Sequence, residues 1–447
     1  MTETYDLIVV GAGMAGVAAA NKCAAAGWQV AIVDALPYGG TCALRGCDPK
    51  KILRRGAEII DGARLLRGKG IDDHDLAINW ADLMDHKRGF TDPVPDNLQR
   101  QLAANGVDTF HGTATFAAED HLTVDGARYA FRHVLVATGA RPRPLDVPGA
   151  EHLIDSTDFL ELPELPERVV FIGGGFISFE FAHIAARAGS RPVIVDRGDR
   201  PLKRFDPDLV DLLVARSAAV GIDTRTQTSV TAIDQSGSGY RVTVDTPDII
   251  DADIVVHGAG RVPQLSQLDL DAAGVAHSAH GISVAGHLQS TTNPRVSAAG
   301  DAADTPGMPL TPVAVFEGKV AASNMLNNTT TTPDYNGVPT VVFALPELAR
   351  VGMLEADAEH DGIDVDVRYR DTSGWYANYR VGETTAAVKI LVDTDTDTIV
   401  GAHMLGPQYA EVVNFCGLAM KLGLTTRQLK SMTATYPSVA SDLGAML

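Results

Sequence analysis

Gly39-Gly40-Thr41-Cys42-Ala43-Leu44-Arg45-Gly46-Cys47-Asp48-Pro49-Lys50-Lys51 decides how this chain is read, because two thiols separated by four residues stand just behind a dinucleotide-binding fingerprint. In an unbroken helix their Cα atoms would lie roughly 8 to 9 Å apart from the helix rise and radius, beyond the ~7 Å that a disulfide spans. The backbone therefore has to bend between them. Gly40 and Gly46 supply the freedom to bend, and Pro49 suits the first turn of a helix opening after Cys47. The Cys47 sulfur then sits near a helix N-terminus beside Lys50 and Lys51, and both features favour thiolate. Structural zinc wants four ligands, and no further Cys or His stands within local ligand spacing. The pair reads as redox-active, and no metal site is expected.

Upstream, Tyr5 to Val10 has the pattern of an apolar strand and runs into Gly11-Ala12-Gly13-Met14-Ala15-Gly16, followed by an alanine-rich helical stretch to about Ala26. A second strand from Gln29 to Val33 ends at Asp34. This is the order in which a pyrophosphate sits on a helix N-terminus and an acid takes the ribose hydroxyls, so Gly11, Gly13, Gly16 and Asp34 are read as a nucleotide site. Downstream the same grammar returns: a strand Arg168 to Ile172, then Gly173-Gly174-Gly175-Phe176-Ile177-Ser178, a helix to about Ala188, and a strand Pro192 to Val195. Ser178 replaces the third glycine and is expected to loosen the helix–strand packing slightly. Asp196 after that strand favours the free 2′-hydroxyl of NADH, whereas Arg197, Lys203 and Arg204 suit the 2′-phosphate of NADPH. The clustered cations tilt the reading to NADPH.

Each unit is followed by a strand that stops at a glycine and turns at a proline: Val134 to Thr138-Gly139 with Pro142, and Ile254 to Gly258-Ala259-Gly260-Arg261 with Pro263. Further on, Val296 to Gly300-Asp301 places an acid at another strand end, and Leu310-Thr311-Pro312-Val313-Ala314 opens a helix to about Leu326. An Asp in that position could instead cap a helix. His152, His183 and His403 are isolated and read as core or surface residues, and Cys23 and Cys416 as buried small hydrophobes. Trp375-Tyr376-Ala377-Asn378-Tyr379 is aromatic enough to line a substrate groove, although packing within the interface domain is the favoured reading.

The 447 residues, 45% of them apolar, exceed what one core carries and imply several domains. Only four cysteines are present, which argues against a secreted disulfide scaffold and for a reducing, cytoplasmic setting. A formal charge of −19 argues against nucleic acid or an anionic membrane as partner. The N-terminal apolar run Leu7 to Val10 stops at Gly11, too short for a signal peptide or membrane span.

In their order, these pieces resemble the FAD-dependent pyridine nucleotide-disulfide oxidoreductases, the family of glutathione reductase, dihydrolipoamide dehydrogenase, mycothione reductase and mercuric reductase. The resemblance spans almost the whole chain, and its most specific element is GGTCxxxxC followed by Pro and Lys. It implies an α/β fold with two Rossmann-like dinucleotide-binding domains and a C-terminal α/β dimerisation domain. FAD would be held by 1–150 and 276–330, the nicotinamide by 151–275, and the homodimer by 331–447. Carried over, Cys42 corresponds to the thiol that attacks substrate and Cys47 to the thiol that lies against the flavin. Lys51 or Lys50, with Glu180, resembles the ion pair beside flavin N5, unless Glu180 is only an exposed helical carboxylate. Gly40, Thr41, Thr138, Gly139, Gly300, Asp301, Thr311 and Ala314 fall at flavin-side positions. Gly173, Gly175, Phe176, Asp196, Arg197, Lys203, Gly260 and Arg261 fall at nicotinamide-side ones, Phe176 where the family often shields the flavin with tyrosine.

One departure stands out. The family's disulfide reductases end in His-Pro-Thr-x-x-Glu, whereas this chain has Tyr436-Pro437-Ser438-Val439-Ala440-Ser441. A phenol titrates near pH 10 and an imidazole near 6.5, so Tyr436 can donate a proton at neutral pH but is a poor base. That disfavours dihydrolipoamide oxidation and suits reduction of a small disulfide, with Tyr436 supplied by the other subunit. The alternatives are a mercuric-reductase-like reduction of metal ions, a quinone reductase, and a non-enzymatic redox-sensing dimer.

Overall fold

The computed structural model describes residues 4–447, which divide into two compact units. The first contains the chain up to Lys51, Asp85–Arg143 and Arg261–Tyr335. Its main sheet runs in the order Val107–His111, Val30–Asp34, Thr4–Val10, Ala127–Val136, His121–Val124, Ala114–Ala118, with Val296–Ala298 added alongside Ala127–Val136. Thr4–Val10 pairs parallel with both neighbours, and Leu7, Ile8, Val9 and Val10 are all buried. A parallel strand covered on both faces requires such a continuous apolar run. The helix Met14–Ala25 starts at Gly13 and packs on the sheet through Ala15, Ala19, Ala20 and Cys23.

The second unit contains Ile52–Met84, Pro144–Gly260 and Asn336–Leu447. Its nucleotide-type sheet is parallel, in the order Asp223–Arg225, Arg191–Val195, Arg168–Ile172, Ile254–His257. A three-stranded antiparallel sheet of Val230–Ser236, Gly239–Val244 and Ile249–Ala252 accompanies it. The C-terminal part is a five-stranded antiparallel sheet, ordered Thr340–Val342, Glu347–Gly352, Ile399–Gly406, Ala387–Asp393, Val365–Asp371, and covered by the helix Tyr409–Leu422. Residues 261–275 travel with the first unit, because Arg261–Pro263 pairs antiparallel with Ala140–Pro142.

Two local expectations are corrected. Ser178 does not loosen its helix, since its side chain is fully buried against Gly258, where an added Cβ would lie 2.0 Å from Ser178 Oγ. The missing side chain at Gly258 makes the room that the third glycine would otherwise provide. The aromatic segment does not pack wholly inward: Tyr376 and Tyr379 are 53% and 77% exposed, while Trp375 and Ala377 join the core. In the helix Tyr376–Val381 positions three apart share a face, and this face points outward.

Of the isolated histidines, His183 and His403 pack internally and His152 stays partly exposed. His183 is buried and shares hydrogen bonds with Ser217, Arg187 and the amide of Leu345, and His403 is buried with Nε2 against the Met353 carbonyl. Cys23 and Cys416 are fully buried, and loss of hydration pushes both thiols up to about 12. No helix among the described residues is long and apolar enough to cross a membrane.

Candidate active site

The two thiols are brought together by a change of helix type. Thr41–Arg45 forms one π-helical turn, Gly46 interrupts it with an extended φ of −154°, and the helix Cys47–Leu65 begins at the second thiol. Gly40 enters the turn at φ +65°, and a Cβ there would lie 2.6 Å from Gly13 Cα of the fingerprint. Only glycine meets both demands, so the thiol loop is seated directly on the nucleotide turn. Cys42 and Cys47 are both free thiols, the first half-buried and the second exposed.

They share a hydrogen bond, and Cys47 is the more acidic of the two. Hydrogen bonding from Cys42 draws the Cys47 thiol down to about 6, against the effect of partial burial and with help from Lys50, Thr311 and Lys51. The same bond, with desolvation, pushes Cys42 far up. Thr311, first residue of the helix Thr311–Asn327, places its hydroxyl 3.9 Å from Cys47 Sγ and also bonds Cys42. Two helix N-termini thus converge on these sulfurs, which further favours a thiolate. On the other side, Asp48 Oδ1 stands 4.0 Å from Cys42 Sγ. Lys50 is 5% exposed and Lys51 half-buried.

The rest of the first unit's constellation surrounds the fingerprint. Gly11, at φ +109°, lies so close to the strand end that a Cβ would meet the Ala137 carbonyl oxygen at 2.3 Å. Gly16 packs equally tightly on Gly11, whereas Gly13 opens to free space. Asp34 accepts from the Ala12 and Leu36 amides at 2.8 and 2.9 Å. Gly139 turns at φ +68° beside Thr138, whose Oγ1 is buried with no protein partner. Asp301 lies in the turn Gly300–Ala302 and caps no helix; loss of hydration raises its carboxyl and Arg261 opposes the rise. Arg261 also donates to the Ala140 carbonyl, and Ala314 packs against Gly300. These tight backbones, an unpartnered hydroxyl and a desolvated acid suit a dinucleotide with a polar tail, so the residues present fit FAD.

In the second unit, Glu180 is 3% exposed, which excludes the bland reading of a solvated carboxylate, and Oε1 accepts from the Phe343 amide at 3.0 Å. Gly173 turns at φ +103° under Gly258 and Ala259, Gly175 precedes the helix Phe176–Arg187, and Gly260 has φ +102°. Phe176 is exposed at the start of that helix. Asp196 Oδ1 accepts from the Gly198 amide, and its other oxygen faces Gly174. Arg197 is exposed, and Lys203 pairs with Asp199 at 2.9 Å on the surface. Tyr436 is 75% exposed and stacks on Tyr376, ring centroids 6.4 Å apart.

Two further residues join the site. Asp48 stands beside the thiols, and an acid next to a cysteine pair is the one signal of it in the sequence. Glu317 is buried and accepts from the Gly300 amide, Thr305 and Tyr335 at 2.7, 2.8 and 2.6 Å, holding the turn that carries Asp301. No pattern in the sequence relates those partners.

Residues 5–318 match the family model for pyridine nucleotide-disulphide oxidoreductase, and 338–446 match the dimerisation domain of the same family. The chain belongs to this family. A glutathione reductase of Burkholderia cepacia is 32% identical over 98% of this chain and 97% of that protein. A mercuric reductase of Staphylococcus aureus is 30% identical over 98% of this chain and 81% of its own length. Among solved structures, the HOCl-induced flavoprotein disulfide reductase RclA of Escherichia coli superposes with a TM-score of 0.89 at 26% identity, covering 99% of both chains, and its Cu(II) complex with 0.90. The protein is an FAD-dependent oxidoreductase that works with a pyridine nucleotide and a thiol pair, and its C-terminal segment is the part through which the family dimerises.

A pH dependence follows for this oxidoreductase. With Cys47 drawn down to about 6, its alkylation in the dithiol enzyme should reach its plateau above about pH 6 and fall away below it. Cys42→Ala removes the strongest stabiliser of the thiolate, so the midpoint should move up. Arg45 separates the two cysteines, so trypsin yields them on different peptides and mass spectrometry can follow each one.

Proposed function

We propose that the enzyme reduces a small disulfide with NADPH, Cys42 acting as the attacking thiol and Cys47 as the thiolate that passes electrons on. What carries the reading is the thiol pair folded together at two helix N-termini, with Cys47 the more acidic sulfur. The chemistry FAD supplies when bound is exchange of an electron pair between nicotinamide and thiol pair. Cys47 is the sulfur poised as a thiolate, and Cys42, further into the turn, is the one left to form a mixed disulfide with substrate. Gly11, Gly13, Gly16, Asp34, Thr138, Asp301 and Arg261 hold the flavin nucleotide, and Lys51 or Lys50 is the charge set at its reacting edge. The partner subunit's Tyr436 hydrogen-bonds the departing thiolate.

Preference for NADPH rests on Arg197, Lys203 and Arg204, all exposed just behind the second fingerprint. The Lys203–Asp199 pair is a surface one of little strength, so Lys203 is readily recruited by a 2′-phosphate. Replacing Arg197 and Lys203 by alanine should raise KM for NADPH about tenfold or more while leaving that for NADH nearly unchanged. Equal losses with both nucleotides would assign the site to NADH and Asp196.

The deciding experiment is NADPH oxidation by the FAD-loaded protein against a panel of small disulfides, with Hg(II) and a quinone in parallel. Fast turnover of one disulfide establishes the reading. Turnover with Hg(II) or quinone alone overturns it.

A further inference from the structure

The thiol assigned to attack substrate is the less acidic of the pair, so it needs a base, and the family's histidine and glutamate are absent from positions 436 and 441. A carboxylate stands against it. Asp48 lies on the first turn of the helix Cys47–Leu65, and the π turn folds Cys42 back over it until Oδ1 stands 4.0 Å from Sγ. From the thiol–carboxylate contact we infer that Asp48 is the catalytic acid–base of this enzyme, taking the proton of Cys42 and returning it to the leaving thiolate. The inference deepens the disulfide-reductase reading and rests on it.

The steps balance. Asp48 accepts the Cys42 proton as the Cys42 sulfur attacks a disulfide RS–SR′, so that a Cys42–SR bond forms and the S–S bond of the substrate breaks. The protonated Asp48 then delivers that proton to R′S⁻, giving R′SH. Cys47 thiolate next attacks Cys42 Sγ, closing the Cys42–Cys47 disulfide and expelling RS⁻, which takes one proton from solvent. The dithiol has lost two electrons and the substrate has gained two. The nicotinamide restores them through the established activity.

The surroundings suit the role. Partial burial raises the Asp48 carboxyl and Lys51 opposes the rise, which brings the acid nearer to the thiol's range. The charged and titratable groups that act on the pair are Cys47, Lys50 and Lys51 on the same helix. The helix Thr311–Asn327 contributes the uncharged Thr311 hydroxyl.

The test compares Asp48→Asn and Asp48→Glu with the parent protein, all FAD-loaded and reduced to the dithiol. The first readout is the rate of Cys42 alkylation by iodoacetamide from pH 4 to 9, taken from the Cys42 peptide by mass spectrometry. With Asp48 as base, the parent rate rises as the carboxyl ionises and then stays level through neutral pH. The asparagine variant loses that limb and climbs about tenfold per pH unit, as a free thiol does, and glutamate restores part of the limb. The second readout is turnover of a dialkyl disulfide, expected to fall about 10²-fold in the asparagine variant. Profiles of the same shape in parent and asparagine variant overturn the inference. So does an asparagine variant that reacts faster at every pH with the parent's slope, since Asp48 would then only repel the thiolate. Alkylation needs neither substrate nor nicotinamide: if the parent turns over no disulfide, the functional reading fails while the profile still decides the role of Asp48.

Discussion

Cys42→Ser eliminates disulfide-linked NADPH oxidation, by a factor on the order of 10³ or more, while the protein still folds and binds FAD. The alcohol cannot form a mixed disulfide, and Cys47 then has no sulfur to close upon. The serine hydroxyl nevertheless keeps a hydrogen-bond donor beside Cys47, whose thiolate depends first on that bond and then on Lys50, Thr311 and Lys51. Low-pH alkylation of Cys47 should therefore survive in the variant. Activity with a quinone should survive as well, because that acceptor needs no thiol. The assays are NADPH consumption with each acceptor and peptide-resolved alkylation. A serine variant that still reduces the disulfide at the parent rate would remove Cys42 from the mechanism.

A pair of glycine substitutions separates folding from nucleotide binding. Gly11→Ala adds a Cβ 2.3 Å from the carbonyl oxygen and 2.7 Å from the carbonyl carbon of Ala137, at a φ of +109°. Neither backbone can yield, since Gly11 donates to the Val33 carbonyl and Ala137 to the Val10 carbonyl, both at 2.8 Å. The cost is about 3 kcal/mol or more from strain and overpacking together. That should lower the apoprotein's melting temperature by roughly 5 to 10 °C. Gly13→Ala meets nothing nearer than Gly40 Cα at 3.8 Å, so the apoprotein should melt as the parent does. Its methyl group instead enters the open space that the fingerprint leaves for a pyrophosphate, and FAD affinity should fall about tenfold or more. Flavin content after gel filtration and apoprotein melting curves check both. Equal melting losses in the two variants would mean that Gly13, too, serves only the fold.

Much of this site was legible in the residues. The strands Thr4–Val10 and Arg168–Ile172 fall where their apolar runs place them, because a strand covered on both faces leaves a continuous hydrophobic record. The bend between Cys42 and Cys47 was required by the reach of a disulfide, and Gly40 and Gly46 marked where it occurs. The π-helical form of that bend left no mark, since it depends on how Thr41–Arg45 is seated on Gly13 of the fingerprint. The burial of Glu180 likewise depends on an amide at Phe343, far along the chain. The exposure of Tyr376 and Tyr379 depends on which face of a short helix meets the core.

By itself the sequence determined the two nucleotide-binding grammars, the redox pair, the family and the absence of histidine and glutamate from the C-terminal motif. Each of these is local, written in spacing and residue type within a few turns of chain. Packing set the rest: Cys47 as the more acidic sulfur, Asp48 beside Cys42, and Glu317 reaching back to the turn that carries Asp301. Thiol acidity is a matter of a few ångströms and of lost hydration, and both are set by packing among segments that the sequence keeps apart.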